Sequence, residues 1–139
     1  MRDRSRGFSL VEMLVVLVLI GLLAGLVAVN VQSYLLKGKQ EAAKSEIATY
    51  VDALESYHTM HGHYPSNEQG LQALTEPTEQ MPEPVMKRIS KDPWGNPYQY
   101  NAPGREGRPF EIISFGADGQ EGGEGENRDI KSWQLTNEQ

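Results

Sequence analysis

Hydrophobic positions along this chain fall into three regimes. From Phe8 to Val29 they are nearly continuous, broken near the start by one acid, Glu12. About 22 residues at ~1.5 Å each give roughly 33 Å of helix, enough to cross a bilayer. Beyond that stretch the apolar positions narrow to one face. Ala43, Ile47, Tyr50, Leu54, Tyr57 and His61 recur at three- and four-residue steps, the period of an amphipathic helix. Lys37, Lys39, Glu41, Lys44, Glu46, Asp52 and Glu55 lie mostly off that face. Gly62 supplies the stop. The pattern predicts one helix from Phe8 to His61, roughly 80 Å long at ~1.5 Å per residue. Its front half is apolar all round and its back half on one side.

After Gly62 the periodicity breaks. His63-Tyr64-Pro65 is extended, because a residue before proline avoids the helical region. Glu68 to Thr75 fits a short helix, and Pro77, Pro82 and Pro84 mark a loop. Asp92 to Pro97 (DPWGNP) is dense in turn formers, with Trp94 as the expected anchor. Tyr98–Tyr100 and Phe110–Ser114 read as strands joined by a hairpin loop over 101–109, and Ser132–Leu135 as a last short strand. A long helix followed by a small antiparallel sheet gives an α+β fold, the sheet packed on the helix's apolar face. No internal repeat is visible.

Composition changes the picture in two ways. The chain has no cysteine, which excludes disulfides and thiolate metal sites. Its net charge is −6, and the first seven residues hold three Arg and one Asp, so the remainder stands at about −8. So acidic a body repels phosphate backbones, and nucleic acid is excluded as an expected partner. Arg2, Arg4 and Arg6 before the apolar run keep the N-terminus cytoplasmic and send the body across the membrane. A secretory signal peptide is a rival reading. The apolar run is longer than the usual h-region of ~7–15 residues, and no small-x-small cleavage site closes it.

Glu12 is not explained by a plain anchor. An ionised carboxylate within a membrane helix costs roughly 2.5–3.5 kcal/mol unless it is paired or stays wet near the headgroups. Gly7-Phe8-Ser9-Leu10-Val11-Glu12 resembles the processing signature of type IV pilins and pseudopilins: a short basic leader ending in Gly, then Phe, then Glu four residues on. The resemblance implies cleavage between Gly7 and Phe8, methylation of the new Phe8 amine, and retention of the apolar segment. It also implies a partner for Glu12, the Phe8 amine of a neighbouring subunit, which would set the axial register of stacked helices. Where the family often has a proline, this chain has Val29, with Gly21 and Gly25 as the remaining weak points of the helix. Farther on, "YPSNEQGLQAL", "DPWGNPYQY" and "SFGADGQEGGEGENRDIKSW" are similar to stretches of the major pseudopilins of type II secretion systems.

The run from Asp118 to Asp129 gathers oxygens among glycines. Hard cations such as Ca²⁺ take six to eight oxygen ligands. Against the EF-hand pattern, Asp118 and Gly123 fall at matching places, Asp129 stands where the pattern has Glu, Gln120 and Gly122 supply poorer ligands or none, and no flanking helices are expected. The residues alone leave two readings open, a cation loop or a solvated acidic loop. The pseudopilin resemblance implies structural calcium, held by the side chains of Asp118, Asp129 and Asn127 and the backbone carbonyls of Phe115 and Gln120. Asn127 replaces a frequent Asp, and Arg128 brings a positive charge beside it.

Other candidate chemistry is thin. His58, His61 and His63 invite a zinc site, but no HExxH is present. Ser114 and Ser132 lack a nucleophile-elbow context. The sequence is therefore read as a non-enzymatic pilin-like subunit. Its expected parts are a cleaved leader (1–7), a transmembrane and assembly helix (8–30) and a periplasmic domain (31–139). It is expected to sit in the bacterial inner membrane with a single pass and to polymerise into a periplasmic pseudopilus that drives export of folded proteins. Expected partners are further copies of itself, minor pseudopilins, the prepilin peptidase and the inner-membrane assembly platform. The alternatives are a type IV pilin or minor pseudopilin and, from another class, a membrane-anchored metal-dependent hydrolase. True pilins usually close a C-terminal disulfide loop, which a cysteine-free chain cannot form.

Overall fold

The computed structural model describes residues 7–135, the side chains of 28–30 excepted. Residues 1–6 of the expected leader lie outside the described residues. The chain divides into two compact units, Met1–Leu35 and Leu36–Gln139. Each is described by itself.

Helix α1 spans Leu10–His61 and is shared between the units. In the first unit its apolar side chains are exposed throughout, from Leu10 to Leu26. The backbone stays helical past Gly21, Gly25 and Val29. It is the one helix among the described residues long and apolar enough to cross a membrane.

In the second unit α1 turns one face inward. Ala43, Ile47, Tyr50, Ala53, Leu54 and Tyr57 are buried there. The helix ends where the sequence places the stop: Gly62 adopts φ +76°, and its N–H donates to the His58 carbonyl at 2.8 Å. The short helix expected over 68–75 is tighter and shorter, a 3₁₀ turn at Gly70–Thr75. Gly70 itself sits at φ +59°, outside the range of an α-helix. Leu71, Ala73 and Leu74 of that turn enter the core.

Strand β1 (Gln99–Asn101) pairs antiparallel with β2 (Glu111–Ser114), Tyr100 opposite Ile112. Strand β3 (Ile130–Lys131) pairs antiparallel with the other edge of β2, Ile113 opposite Lys131. The sheet order is β1-β2-β3. The expected last strand at Ser132–Leu135 is instead a single helical turn, α2. Its cause is local. The Ser132 hydroxyl accepts the Ile112 N–H at 3.1 Å, so a side chain takes the place of a strand backbone and pairing stops at Lys131. Trp133 then lies beneath the Arg108 guanidinium, 4.3 Å from its ring centroid.

The core joins the α1 face to Tyr98, Tyr100, Phe110, Ile112 and Ile130. Each fully buried aliphatic contributes about 1.5–3 kcal/mol. Three of the core tyrosines also carry satisfied polar ends. Tyr50 Oη accepts the Ser90 N–H at 2.9 Å, Tyr98 O–H donates to the Glu46 carboxylate, and Tyr100 O–H donates to the Pro65 carbonyl at 2.9 Å. Tyr50 and Tyr98 meet edge to face, centroids 5.3 Å apart.

Burial pushes Tyr100 up to about 12. Burial, and then the Glu46 hydrogen bond, raise Tyr98 further. Below the ordinary tyrosine value of about 10 these groups are neutral in both the folded and the unfolded chain. Above it the unfolded chain ionises first, so stability falls as pH rises toward the folded values. An alkaline titration should show part of the tyrosinate absorbance appearing only as circular dichroism reports unfolding. Ionisation of all six tyrosines near pH 10 with the fold intact would contradict this.

Candidate functional site

The start of α1 is built by four residues. Ser9 is the N-cap: its hydroxyl accepts the Glu12 N–H at 3.2 Å, and the Glu12 carboxylate accepts the Ser9 N–H at 2.8 Å through Oε2. This reciprocal pair is a capping box, in which a Ser-x-x-Glu run satisfies two otherwise orphaned helix N–H groups. A negative charge there also suits the helix dipole. The second carboxylate oxygen of Glu12, Oε1, has no hydrogen-bond partner among the described residues. Gly7 and Phe8 lie exposed just ahead of the cap, with Phe8 at 79%. The structure thus brings Gly7, Phe8 and Glu12 into one short segment and adds Ser9. The signal for Ser9 stood in the four letters SLVE.

The acidic loop runs from β2 to β3, so its flanks are strands, not the helices of an EF-hand. Two close backbone approaches shape it. A Cβ on Gly116, at φ +65°, would stand 2.6 Å from the Glu126 carbonyl oxygen. A Cβ on Gly123, at φ +101°, would stand 2.7 Å from the Asn127 oxygen. Only glycine fits either position, and both hold the chain around Asn127. The Ala117 N–H donates to the Glu126 carbonyl at 2.9 Å across the loop's neck.

Of the five expected ligands, Asp129 is buried, Phe115 and Asn127 are half-buried, and Asp118 and Gln120 are exposed. The Asp129 carboxylate accepts the Gly122 N–H at 3.1 Å on both oxygens and stands 3.5 Å from the Lys131 ammonium. Asp118 accepts the Gln120 N–H at 3.2 Å. No hydrogen bond or ion pair joins Asp118 to Asp129. Among the described residues no group of three or more His, Cys, Asp or Glu gathers to hold a metal ion. The five expected ligands would offer two carboxylates, one amide and two carbonyls. That set is all oxygen, which suits a hard cation and not zinc.

The base of the loop rests on the DPWGNP turn. Asp92 is buried and accepts the Trp94 N–H at 3.1 Å, the Asn96 N–H at 2.8 Å and the Ser114 hydroxyl at 2.7 Å. The Asn96 amide donates to the Gly116 carbonyl at 2.7 Å. Asp92, Asn96 and Ser114 thus position the loop, although none stood out as functional in the sequence. Trp94 packs on the core, but its indole N–H finds no acceptor among the described residues. The carboxylate, not the indole, fastens this turn.

Two of the three histidines are taken up in packing, and His63 is exposed. His61 stacks on Tyr57 and His58 on Tyr64, at 4.0 and 4.4 Å between centroids. The His61 ring nitrogens meet the Tyr57 carbonyl at 3.0 Å and the Thr78 hydroxyl at 2.8 Å.

Two family models match this chain. The prokaryotic N-terminal methylation motif covers residues 2–28, and protein G of the type II secretion system covers residues 30–133. The chain belongs to the protein G family. Type II secretion system core protein G of Pseudomonas aeruginosa is 42% identical over 95% of this chain and 97% of its own length. The core protein G of Vibrio cholerae is 42% identical over 95% and 94%. Among solved structures, the major pseudopilin from the type 2 secretion system of enterohaemorrhagic Escherichia coli superposes with a TM-score of 0.57. It is 31% identical and covers 70% of this chain and 89% of that one. The fold expected from sequence, a long helix with a small antiparallel sheet, is thus that of a protein G family member. The methylation motif covers both the capping box and the apolar run, as in a membrane-anchored subunit.

Asp92→Ala would leave two backbone N–H groups and a buried hydroxyl without their acceptor. It should cost about 2–3 kcal/mol and lower the melting temperature by roughly 10 °C or more. Unchanged melting of the full chain would show that the turn is held by other contacts.

Proposed function

We propose that this chain is the major structural subunit of a type II secretion pseudopilus, and not a catalyst. The observation that carries the reading is the capped helix start: one acid at the head of a wholly exposed apolar helix, in a chain of the protein G family. The prepilin peptidase cuts between Gly7 and Phe8 and methylates the Phe8 amine. Until assembly, the apolar part of α1 crosses the inner membrane once, with the second unit in the periplasm.

On assembly, the apolar helices leave lipid for one another. Glu12, already turned back toward the helix start by Ser9, offers its other oxygen to the Phe8 amine of the next copy. Two charges are then neutralised together, and losing either partner strands the other in an apolar setting. A contact between unlike surfaces of successive copies builds an open helical polymer when the rotation between copies does not close into a ring. Growth of the polymer, begun with minor pseudopilins on the inner-membrane assembly platform, pushes folded proteins through an outer-membrane channel. Gly7→Leu should keep the leader attached, read as precursor mass in membrane extracts. Recovery of mature-size protein from that variant would refute the cleavage site.

The acidic loop is read as a structural calcium site. Asp118, Asp129 and Asn127 would hold the ion with the carbonyls of Phe115 and Gln120. Calcium would supply positive charge to a loop that also carries Glu121, Glu124 and Glu126. Lys131, near Asp129, and the neutral Asn127 both lower the attraction for it. Asp118→Ala should lower the melting temperature only when calcium is present. Equal melting of both proteins with and without calcium would remove the metal from the account.

A further inference from the structure

Glu111 is the least exposed acid among the described residues. It stands in the middle strand at 1% exposure, where a bare carboxylate is costly. Its oxygens are met from the end of β1 and from the β1–β2 connection. The Asn101 amide donates at 3.1 Å, the Arg105 N–H donates at 3.2 Å, and the Arg105 Nε lies 3.6 Å away. Arg105 is the one cation within ion-pair distance of Glu111 among the described residues. The other end of the same guanidinium points out of the hairpin: its Nη1 donates to Glu121 of the acidic loop at 2.9 Å.

An exposed ion pair ordinarily contributes little, because two long side chains must be immobilised to form it. Here Arg105 is already held from beneath by Glu111. Fixing Glu121 on it orders only one more side chain. The planar fork of arginine can face both acids at once, which the point charge of a lysine cannot. None of the five candidate calcium ligands takes part, so Arg105 and a metal would act on different residues of one loop.

We infer that Arg105 is a resident cation of the acidic loop, a strut from buried Glu111 to Glu121 that keeps the loop seated on the hairpin without divalent metal. Only the calcium arm of the test rests on the metal reading above. Amide hydrogen exchange over residues 117–126 in the detergent-solubilised full chain, in EGTA and in excess calcium, tests it. E121A leaves the Arg105–Glu111 contact in place and removes the outer half of the strut, charge and acceptor together. In EGTA it should exchange about tenfold faster than wild type across the loop, with the sheet amides unchanged. R105K, which keeps a positive charge for Glu111, should give the same acceleration. Calcium should narrow the difference. Loop exchange in E121A equal to wild type in EGTA would overturn the strut. A wild-type loop indifferent to calcium would overturn the metal reading alone, because the comparison in EGTA decides Arg105 by itself.

Discussion

A carboxylate that cannot be left bare is the constraint from which the rest follows. Glu12 sits at the head of a run that otherwise has no reason to leave lipid. Ionised there, it must be paired or stay wet, and its own chain offers only part of what it needs. Ser9 satisfies one oxygen through the capping box and so fixes where the carboxylate points. The other oxygen has no partner among the described residues, and the proposed assembly gives it one from the next copy. In the proposed assembly, that free oxygen gives the helix a preferred partner and a preferred offset. That is what a stacking subunit requires and what a simple anchor lacks.

The same logic organises the second unit, with the acids placed inside it. Asp92 collects two backbone N–H groups and the Ser114 hydroxyl and so pins a turn to the central strand. Glu111 is answered by Asn101 at the end of β1 and by Arg105 from the hairpin connection. Asp129 is answered by Gly122 and Lys131 at the end of the acidic loop. Each interior acid ties a loop to the sheet, and the loops with little core of their own are ordered by these ties. The aromatic layer between α1 and the sheet does the complementary work, burying carbon while Tyr50, Tyr98 and Tyr100 keep their hydroxyls bonded.

What could be read from sequence was whatever depends on periodicity or on short motifs. The helix and its stop at Gly62 follow from spacing and from one glycine. β1 and β2 follow from clustered β-formers between turns. The capping box is equally legible, since Ser9 and Glu12 stand three residues apart ahead of an apolar run. Ser132–Leu135 was misread because β-propensity cannot anticipate a serine side chain taking the place of a strand backbone. Contacts between residues far apart in the chain gave no local sign. Nothing in the DPWGNP turn announces that Asp92 will meet Ser114. Nothing in Glu111 announces burial, because alternation in a half-buried strand would place it outward.

The account stands or falls on where the second oxygen of Glu12 goes. A structure of the assembled fibre, at a resolution that separates side chains, measures this directly. The account predicts that the Glu12 carboxylate lies within about 3 Å of the Phe8 amine of another copy, with Phe8 as the first residue of every subunit. A fibre in which Glu12 meets only its own Ser9, or faces water, would contradict it.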